Sequence, residues 1–116
     1  MVEFAIVVPL LMLLILAIVQ IGGTYRNYLT LVDSVRTGAR LAAVSRQDVN
    51  PTAQSVARVR EAAGDLDQDS LEVQVTSTWL MGSDVTVTAS YPYELCLLGL
   101  VCQSGVLHST TKERVE

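Results

Sequence analysis

An uncharged apolar run near the N-terminus constrains this chain more than any other feature. The sequence opens MVEFAIVVPLLMLLILAIVQIGG, and no side chain from Phe4 to Val19 is polar. As a helix, the first 23 residues would extend about 35 Å at ~1.5 Å per residue, which exceeds the ~30 Å hydrocarbon core of a bilayer. We therefore expect residues 1–23 to form a single membrane-spanning helix.

Two other interpretations of the run stay open. A cleaved secretory signal needs a basic start and a small-x-small cleavage site, whereas this chain begins Met-Val-Glu and offers no good site near Ala17–Val19. A buried core helix of a soluble protein is the other alternative, although 116 residues are few to surround so apolar a helix.

Two residues inside this segment need an explanation. Pro9 lacks the N–H that a helix interior uses, but membrane helices tolerate proline, so we expect a kink or a local unwinding there and not an end of the helix. Glu3 places a carboxylate directly before the apolar run, where its burial in lipid without a partner is costly. It either stays in water or is neutralised by a group from elsewhere.

Residues 24–49 predict an amphipathic continuation of the same helix. Apolar side chains recur there at intervals of three and four, which is one stripe of a helix. We expect the helix to reach about Arg46, and Asn50-Pro51 to stop it, because the residue before proline avoids helical geometry. The members of the stripe are Tyr25, Tyr28, Val32, Val35, Ala39 and Ala42.

Residues 50–116 predict a small body with a short helix and an antiparallel sheet. The helix covers Pro51–Gly64, and alternating patterns from Leu71 to Trp79 and from Val85 to Tyr91 form a hairpin. Pro92 is expected to end the second strand, residues 93–105 to connect, and the segment from Val106 to form a third strand with a polar tail. The predicted inward positions are Leu71, Val73, Val75, Ser77, Trp79, Val85, Val87, Ala89 and Tyr91. The fold class is therefore α+β, with a long N-terminal helix packed on a small antiparallel sheet.

The two cysteines fall in an unusually apolar part of the connection. Cys96 and Cys102 enclose five residues, and a disulfide between them would stabilise a body with a small core. Two free thiols are the alternative. A metal site is disfavoured because His108 is the one further ligand of the usual type, and tetrahedral zinc needs more.

The composition argues against several function classes. The net charge is −4, with 8 basic and 12 acidic residues, which disfavours nucleic acid as a partner. The acidic turn after Asp65 lacks the glycine and glutamate of an EF-hand loop, since Ser70 and Thr76 occupy those places. No nucleophile elbow, phosphate loop or zinc-protease motif occurs, so we expect neither an enzyme nor a cofactor.

Signals for membrane orientation conflict. Arginines follow the apolar run, and the positive-inside rule would keep the body in the cytoplasm. The cysteine pair instead favours an oxidising compartment. A basic leader upstream of Met1 would remove the conflict. The arginines concerned are Arg26, Arg36, Arg40 and Arg46.

The N-terminal region resembles the TadE-like proteins, which are minor pilins or pseudopilins of bacterial tight-adherence (Flp-type) pili. The resemblance lies in the start VEFA at residues 2–5 with Pro9 following, and in the segment RTGARLAA at residues 36–43. Within the second segment it singles out Arg36, Gly38, Ala39 and Arg40. The rest of the chain is similar only in kind.

The resemblance implies a pilin-like fold and a role in a filament system. Precursors of this family carry a basic leader that a membrane prepilin peptidase cuts after a glycine. After this cut, a glutamate near the start of the processed chain pairs with the free amino terminus of a neighbouring subunit. Glu3, beside Phe4, is the matching residue here. In the processed chains of this family the glutamate is the fifth residue, whereas Glu3 is the third residue here, so a leader ending two residues before Met1 is expected.

Two functions follow as expectations. The first is a structural minor pilin, with other pilin subunits, the assembly machinery and the membrane as partners, and with the body outside the cytoplasm. The second is a membrane-tethered extracytoplasmic adhesion module that does not enter filaments. Recovery in sheared filaments separates them.

Overall fold

A computed structural model describes residues 1–97 and 99–116. Two helices precede three strands: α1 (Val2–Val44), α2 (Pro51–Ala62), β1 (Glu72–Thr76), β2 (Asp84–Leu97) and β3 (Val101–Arg114). The molecule measures 71 × 22 × 18 Å, because the first half of α1 projects from a small α+β body. This arrangement confirms the predicted fold class.

Helix α1 is continuous over 43 residues. It passes through Pro9 and through the Gly22-Gly23 pair without a break, as predicted. It ends at Val44, two residues before the predicted position, with the N–H of Ser45 donating to the Ala42 carbonyl at 3.3 Å.

Helix α2 begins where the Asn50-Pro51 pair predicts a boundary. The Asn50 side chain accepts a hydrogen bond from the Ala53 N–H at 3.2 Å, and Pro51 occupies the first helical turn, where no N–H is needed. The helix ends at Ala62, two residues before the predicted Gly64.

The sheet is antiparallel with strand order β1-β2-β3. Val75 pairs with Val87, and Val87 pairs with Thr111. The inward face of β2 is the predicted one, with Val85, Val87 and Ala89 fully buried.

Strand β2 corrects the prediction that Pro92 ends it, since the strand runs on to Leu97. Strand β1 pairs with β2 only as far as Ser90, so beyond that residue β2 has a partner on one side alone. Proline is tolerated in such an edge position because its missing N–H does not interrupt a ladder. Pro92 pairs with Val106 across to β3.

The predicted connection at residues 93–105 is also wrong. Most of it forms the paired ends of β2 and β3, and β3 begins at Val101 and not at Val106. Apolar residues stand there at consecutive positions, so the period of two that identifies a strand is absent. Leu98, within this segment, lies outside the described residues.

The core lies between the second half of α1, helix α2 and the sheet. Leu31, Val35 and Ala39 of α1 pack with Val59 of α2 and Val87 of β2. A second cluster joins Ala42, Val85 and Val115, so the expected polar tail in fact contributes a buried valine. The apolar stripe predicted for α1 is wrong at its first two positions, Tyr25 and Tyr28, which the body does not cover.

Tyr25 and Tyr28 are 61% and 38% exposed because α2 and the sheet cover α1 only from Leu31 onward. Val32 is half-buried, and Val35, Ala39 and Ala42 are buried as expected.

Candidate assembly and membrane surface

The first half of α1 is an apolar rod with little protein around it. From Val2 to Val19 every side chain is exposed except the half-buried Ala17. Phe4 is 74% exposed, and the first fully buried side chain of α1 is Leu31. The helix is long and apolar enough to cross a membrane. An exposed apolar surface of this length requires a non-aqueous partner.

Glu3 lies at the free end of this rod. Its side chain is exposed and borders Phe4 and Val7. Among the described residues, 1–97 and 99–116, two ion pairs form: Arg26 with Asp65 at 3.9 Å, and Arg58 with Glu61 at 3.2 Å. Neither involves Glu3, so any cation that neutralises it comes from another molecule or from solvent.

Pro9 lies seven residues from the start of the helix and has no N–H to donate to the carbonyl of Ala5. That carbonyl keeps hydrogen-bonding capacity in the most exposed turns of the rod.

The segment Arg36–Ala43 divides into two faces. Gly38 and Ala39 are buried, whereas Arg36 and Arg40 are exposed. A Cβ added at Gly38 would collide with the Val59 side chain and would lie 3.4 Å from the Ser55 carbonyl oxygen. The small residues therefore let α2 approach α1.

The arginines present a different surface. Arg36 and Arg40 stand four residues apart, which places them on the same side of the helix. Neither forms an ion pair within the described ranges 1–97 and 99–116. They place two exposed positive charges on the surface of the body, with the exposed Asp33 three residues before Arg36.

Cys96 and Cys102 lie opposite each other in the β2–β3 ladder and form a disulfide, with a Cα–Cα distance of 4.2 Å. This geometry agrees with the predicted pairing. Glu94 lies near, with a carboxylate oxygen 3.5 Å from the Cys96 sulfur. Because the sulfurs bond to each other, neither is a thiolate that could ligate a metal there.

His108 lies away from the cysteines. Its Nδ1 is 3.0 Å from the Ser90 hydroxyl, its partner in the ladder. The acidic turn is likewise engaged locally, with the Asp67 carboxylate accepting from the Asp69 N–H at 3.2 Å and from the Ser70 hydroxyl at 3.1 Å.

Sequence reasoning missed the contact between the end of the hairpin and α1. The Gln20 amide donates a hydrogen bond to the carbonyl of Cys96, 76 residues away along the chain. The available signal was that Gln20 and Glu3 are the two polar side chains of the first 23 residues. The hairpin side of this contact could not be predicted, because residues 93–105 were assigned to a connection and not to paired strands.

The comparisons with known proteins concern the N-terminal part. Residues 1–40 match the model of a family described as TadE-like protein. This confirms the resemblance over that segment, which includes Glu3, Pro9 and the start of the Arg36–Ala43 motif. No curated protein and no solved structure matches the chain.

Proposed function

Because residues 1–40 carry the TadE-like pattern, we propose that this chain is a structural minor pilin of a bacterial tight-adherence pilus, which supports pilus assembly and surface adhesion. Its partners are other pilin subunits, the assembly machinery and, on the precursor, the prepilin peptidase. Before assembly it crosses the cytoplasmic membrane once, with the body outside the cytoplasm.

The observation that carries the proposal is the uncovered rod with an unpaired acid at its tip. Val2–Val19 is exposed except for the half-buried Ala17, and Glu3 has no intramolecular ion-pair partner among the described residues 1–97 and 99–116. A carboxylate in lipid costs about 2.5–3.5 kcal/mol on insertion scales. An ammonium group at the amino terminus of a neighbouring subunit would offset part of that cost and fix the axial register of two helices.

The continuity of α1 supports the same role. One helix of 43 residues joins the apolar rod to the core of the body, so a force or displacement at the rod reaches the body without a hinge. We expect the exposed side chains of Arg36 and Arg40 to face an adjacent subunit. A minor role is favoured because the body is larger than that of the shortest Flp-type major pilins.

The test is deletion of the gene followed by complementation with the full-length precursor carrying a C-terminal epitope. We expect piliation and surface adherence to fall on deletion and to return on complementation, with a small amount of the protein in sheared filaments. Loss of the prepilin peptidase should leave a longer, unprocessed form in the membrane. Normal piliation and adherence without the gene would contradict the proposal.

The alternative, a tethered adhesion module, has its own outcome in the same experiment. Adherence would then fall while filament number stays normal, and the epitope would remain in the membrane fraction after shearing.

A further inference from the structure

The β2–β3 hairpin extends well beyond the rest of the sheet. Each of its strands has 14 residues, whereas β1 has 5. At ~3.3 Å per residue the hairpin is about 45 Å long. Its end, residues 95–97 and 99–103, which we name the hairpin tip, extends along α1 toward the apolar rod. The hydrogen bond from Gln20 to the Cys96 carbonyl marks the contact.

The hairpin tip differs in chemistry from the base of the same hairpin. No Asp, Glu, Lys, Arg or His occurs from Leu95 to Leu107. Leu100 and Val101 are 85% and 66% exposed. An antiparallel strand with one wet face alternates apolar and polar residues. The base of the hairpin alternates in this way, and the tip does not. Both faces of the tip therefore carry apolar side chains, whose contact with water is unfavourable.

The position of the tip along α1 indicates what covers it. With Ala17, Gln20 and Ile21, residues of the tip line a small apolar cleft. If the rod fills a hydrocarbon core of ~30 Å, its ~20 residues end near Ile21. The tip therefore lies at the level where the hydrocarbon gives way to the headgroups.

Tyrosines provide an independent marker of that level. Tyr25 and Tyr28 follow the rod on α1, exposed, and border a shallow depression with Ile21 and Leu95. Tyr93 lies just before the tip, with its ring over Gly105. Tyrosine is enriched at membrane–water interfaces, where its ring and hydroxyl meet apolar and wet surroundings. Three of the four tyrosines of the chain thus gather beside the tip.

We propose that the disulfide-closed hairpin tip inserts into the lipid interface beside α1, as a second membrane contact of the body. The inference rests on the proposed membrane insertion of α1. The backbone suits a shallow site, because Leu97 pairs with Val101 and the Leu100 N–H donates to the Leu97 carbonyl at 3.0 Å. Bonding to each other removes both thiols as polar groups. A lipid partner is favoured over a protein partner because the exposed tip is continuous with the exposed rod.

The test places one added tryptophan at a time in the full-length chain, reconstituted in phosphatidylcholine–phosphatidylglycerol vesicles at high lipid-to-protein ratio. Leu100→Trp reports the tip, and Thr110→Trp is the matched control ten residues farther along β3. Leu11→Trp reports the rod. The native Trp79, which packs beside the Ala42 cluster at the far end of the body, supplies the background. The quenchers are lipids brominated near the headgroup end or near the methyl end of the acyl chain.

We expect headgroup-end bromine to cause a several-fold larger loss of emission in Leu100→Trp than in Thr110→Trp. Methyl-end bromine should quench Leu100→Trp less and Leu11→Trp more. If Leu11→Trp is quenched while Leu100→Trp behaves like Thr110→Trp, the tip lies in water or against a protein and this inference is wrong. If Leu11→Trp also escapes quenching, membrane insertion of α1 itself is wrong, and the inference falls with it.

Discussion

The two halves of α1 have the same helical backbone but different surroundings. Before Gly23 no side chain is buried, and only Ala17 and Gln20 are even half-buried. Between Leu31 and Ala43 seven residues are buried against the body. The first half is nevertheless the more apolar one. Its apolar side chains must therefore be covered by a medium or partner outside the chain. The apolar side chains of the second half are covered by the chain's own sheet and second helix.

The largest expected effect on the body comes from a charge in the second half. Val35 is fully buried in the main core cluster. Val35→Asp should lower the free energy of unfolding of the body by at least about 3 kcal/mol, because an unpaired carboxylate would lose its hydration. Thermal unfolding of the detergent-solubilised chain, followed by Trp79 fluorescence, measures the loss.

Leu11→Asp is the matched control in the first half. Leu11 is 53% exposed and touches no part of the body core. Its substitution should leave the unfolding midpoint of the body unchanged in detergent and should reduce insertion into membranes. Equal destabilisation by both substitutions would mean that the two halves fold as one unit, and the comparison would fail.

Two glycines in the same helix give the next test. Gly38 is packed against α2, and an added Cβ there would overlap the Val59 side chain. Gly38→Ala should therefore destabilise the body by about 1–3 kcal/mol, which is the usual cost of overpacking. Gly22 has no neighbouring atom within 4 Å of an added Cβ.

Gly22→Ala should accordingly be neutral or stabilising by up to about 1 kcal/mol, since alanine is the better helix former. Both variants are compared with the parent chain by urea unfolding in detergent. If Gly22→Ala lowered the free energy of unfolding as much as Gly38→Ala, the role of these glycines would be helix flexibility and not the close approach of α2.

How far the sequence predicts the structure also differs between regions. Where burial is on one face, the pattern sufficed for β2, whose inward positions Val85, Val87 and Ala89 are correct. The first strand was predicted from Leu71 to Trp79 and in fact covers Glu72–Thr76. Helix limits signalled by local chemistry, such as Asn50-Pro51, were correct within two residues. Both kinds of signal depend on residues near each other in the chain, so they can be interpreted without the tertiary structure.

The failures depend on contacts between distant residues. Pro92 continues a strand because β1 is too short to reach it, and the length of a partner strand is not a local property. Tyr25 and Tyr28 continue the helical stripe in sequence, but the body stops short of them. The hairpin tip lost its alternation and looked like a loop. Of the candidate site, the pairing of the cysteines could be predicted and the Gln20 contact could not, while the role of Glu3 stays a prediction.

Removal of the disulfide should have a smaller effect on the body than Val35→Asp. Crosslinking a loop of this size stabilises by about 2 kcal/mol in the chain-entropy model. The tip also lies outside both core clusters. The Cys96→Ala/Cys102→Ala chain should lose no more than about 2 kcal/mol of unfolding free energy in the Trp79 transition, and protease should cut it faster at residues 95–97 and 99–103.

Oxidation itself is checked on protein taken from its native compartment. Alkylation without reduction should leave the mass of the parent chain unmodified, and alkylation after reduction should add two groups. Two thiols that react without reductant would contradict the predicted pairing.

The smallest effect on the stability of the body is expected for substitutions of Glu3. These substitutions instead test whether the first half of α1 is needed for assembly. Glu3 is exposed at the far end of the rod, about 40 Å along the helix from Leu31 at ~1.5 Å per residue. Glu3→Ala should leave body stability unchanged and should make the rod more apolar, so membrane insertion should not fall. Sheared filaments from cells expressing the variant precursor should nevertheless lack the subunit.

Glu3→Gln separates charge from size. It keeps the length and hydrogen-bonding capacity of the side chain and removes the negative charge, so it should also fail to assemble if an ammonium partner is required. Val35→Asp should reduce pili as well, but through degradation, so immunoblots of the membrane fraction would show little protein. If Glu3→Gln assembles normally while Glu3→Ala does not, the side chain acts by a hydrogen bond, and a charge pair with a neighbouring amino terminus is wrong.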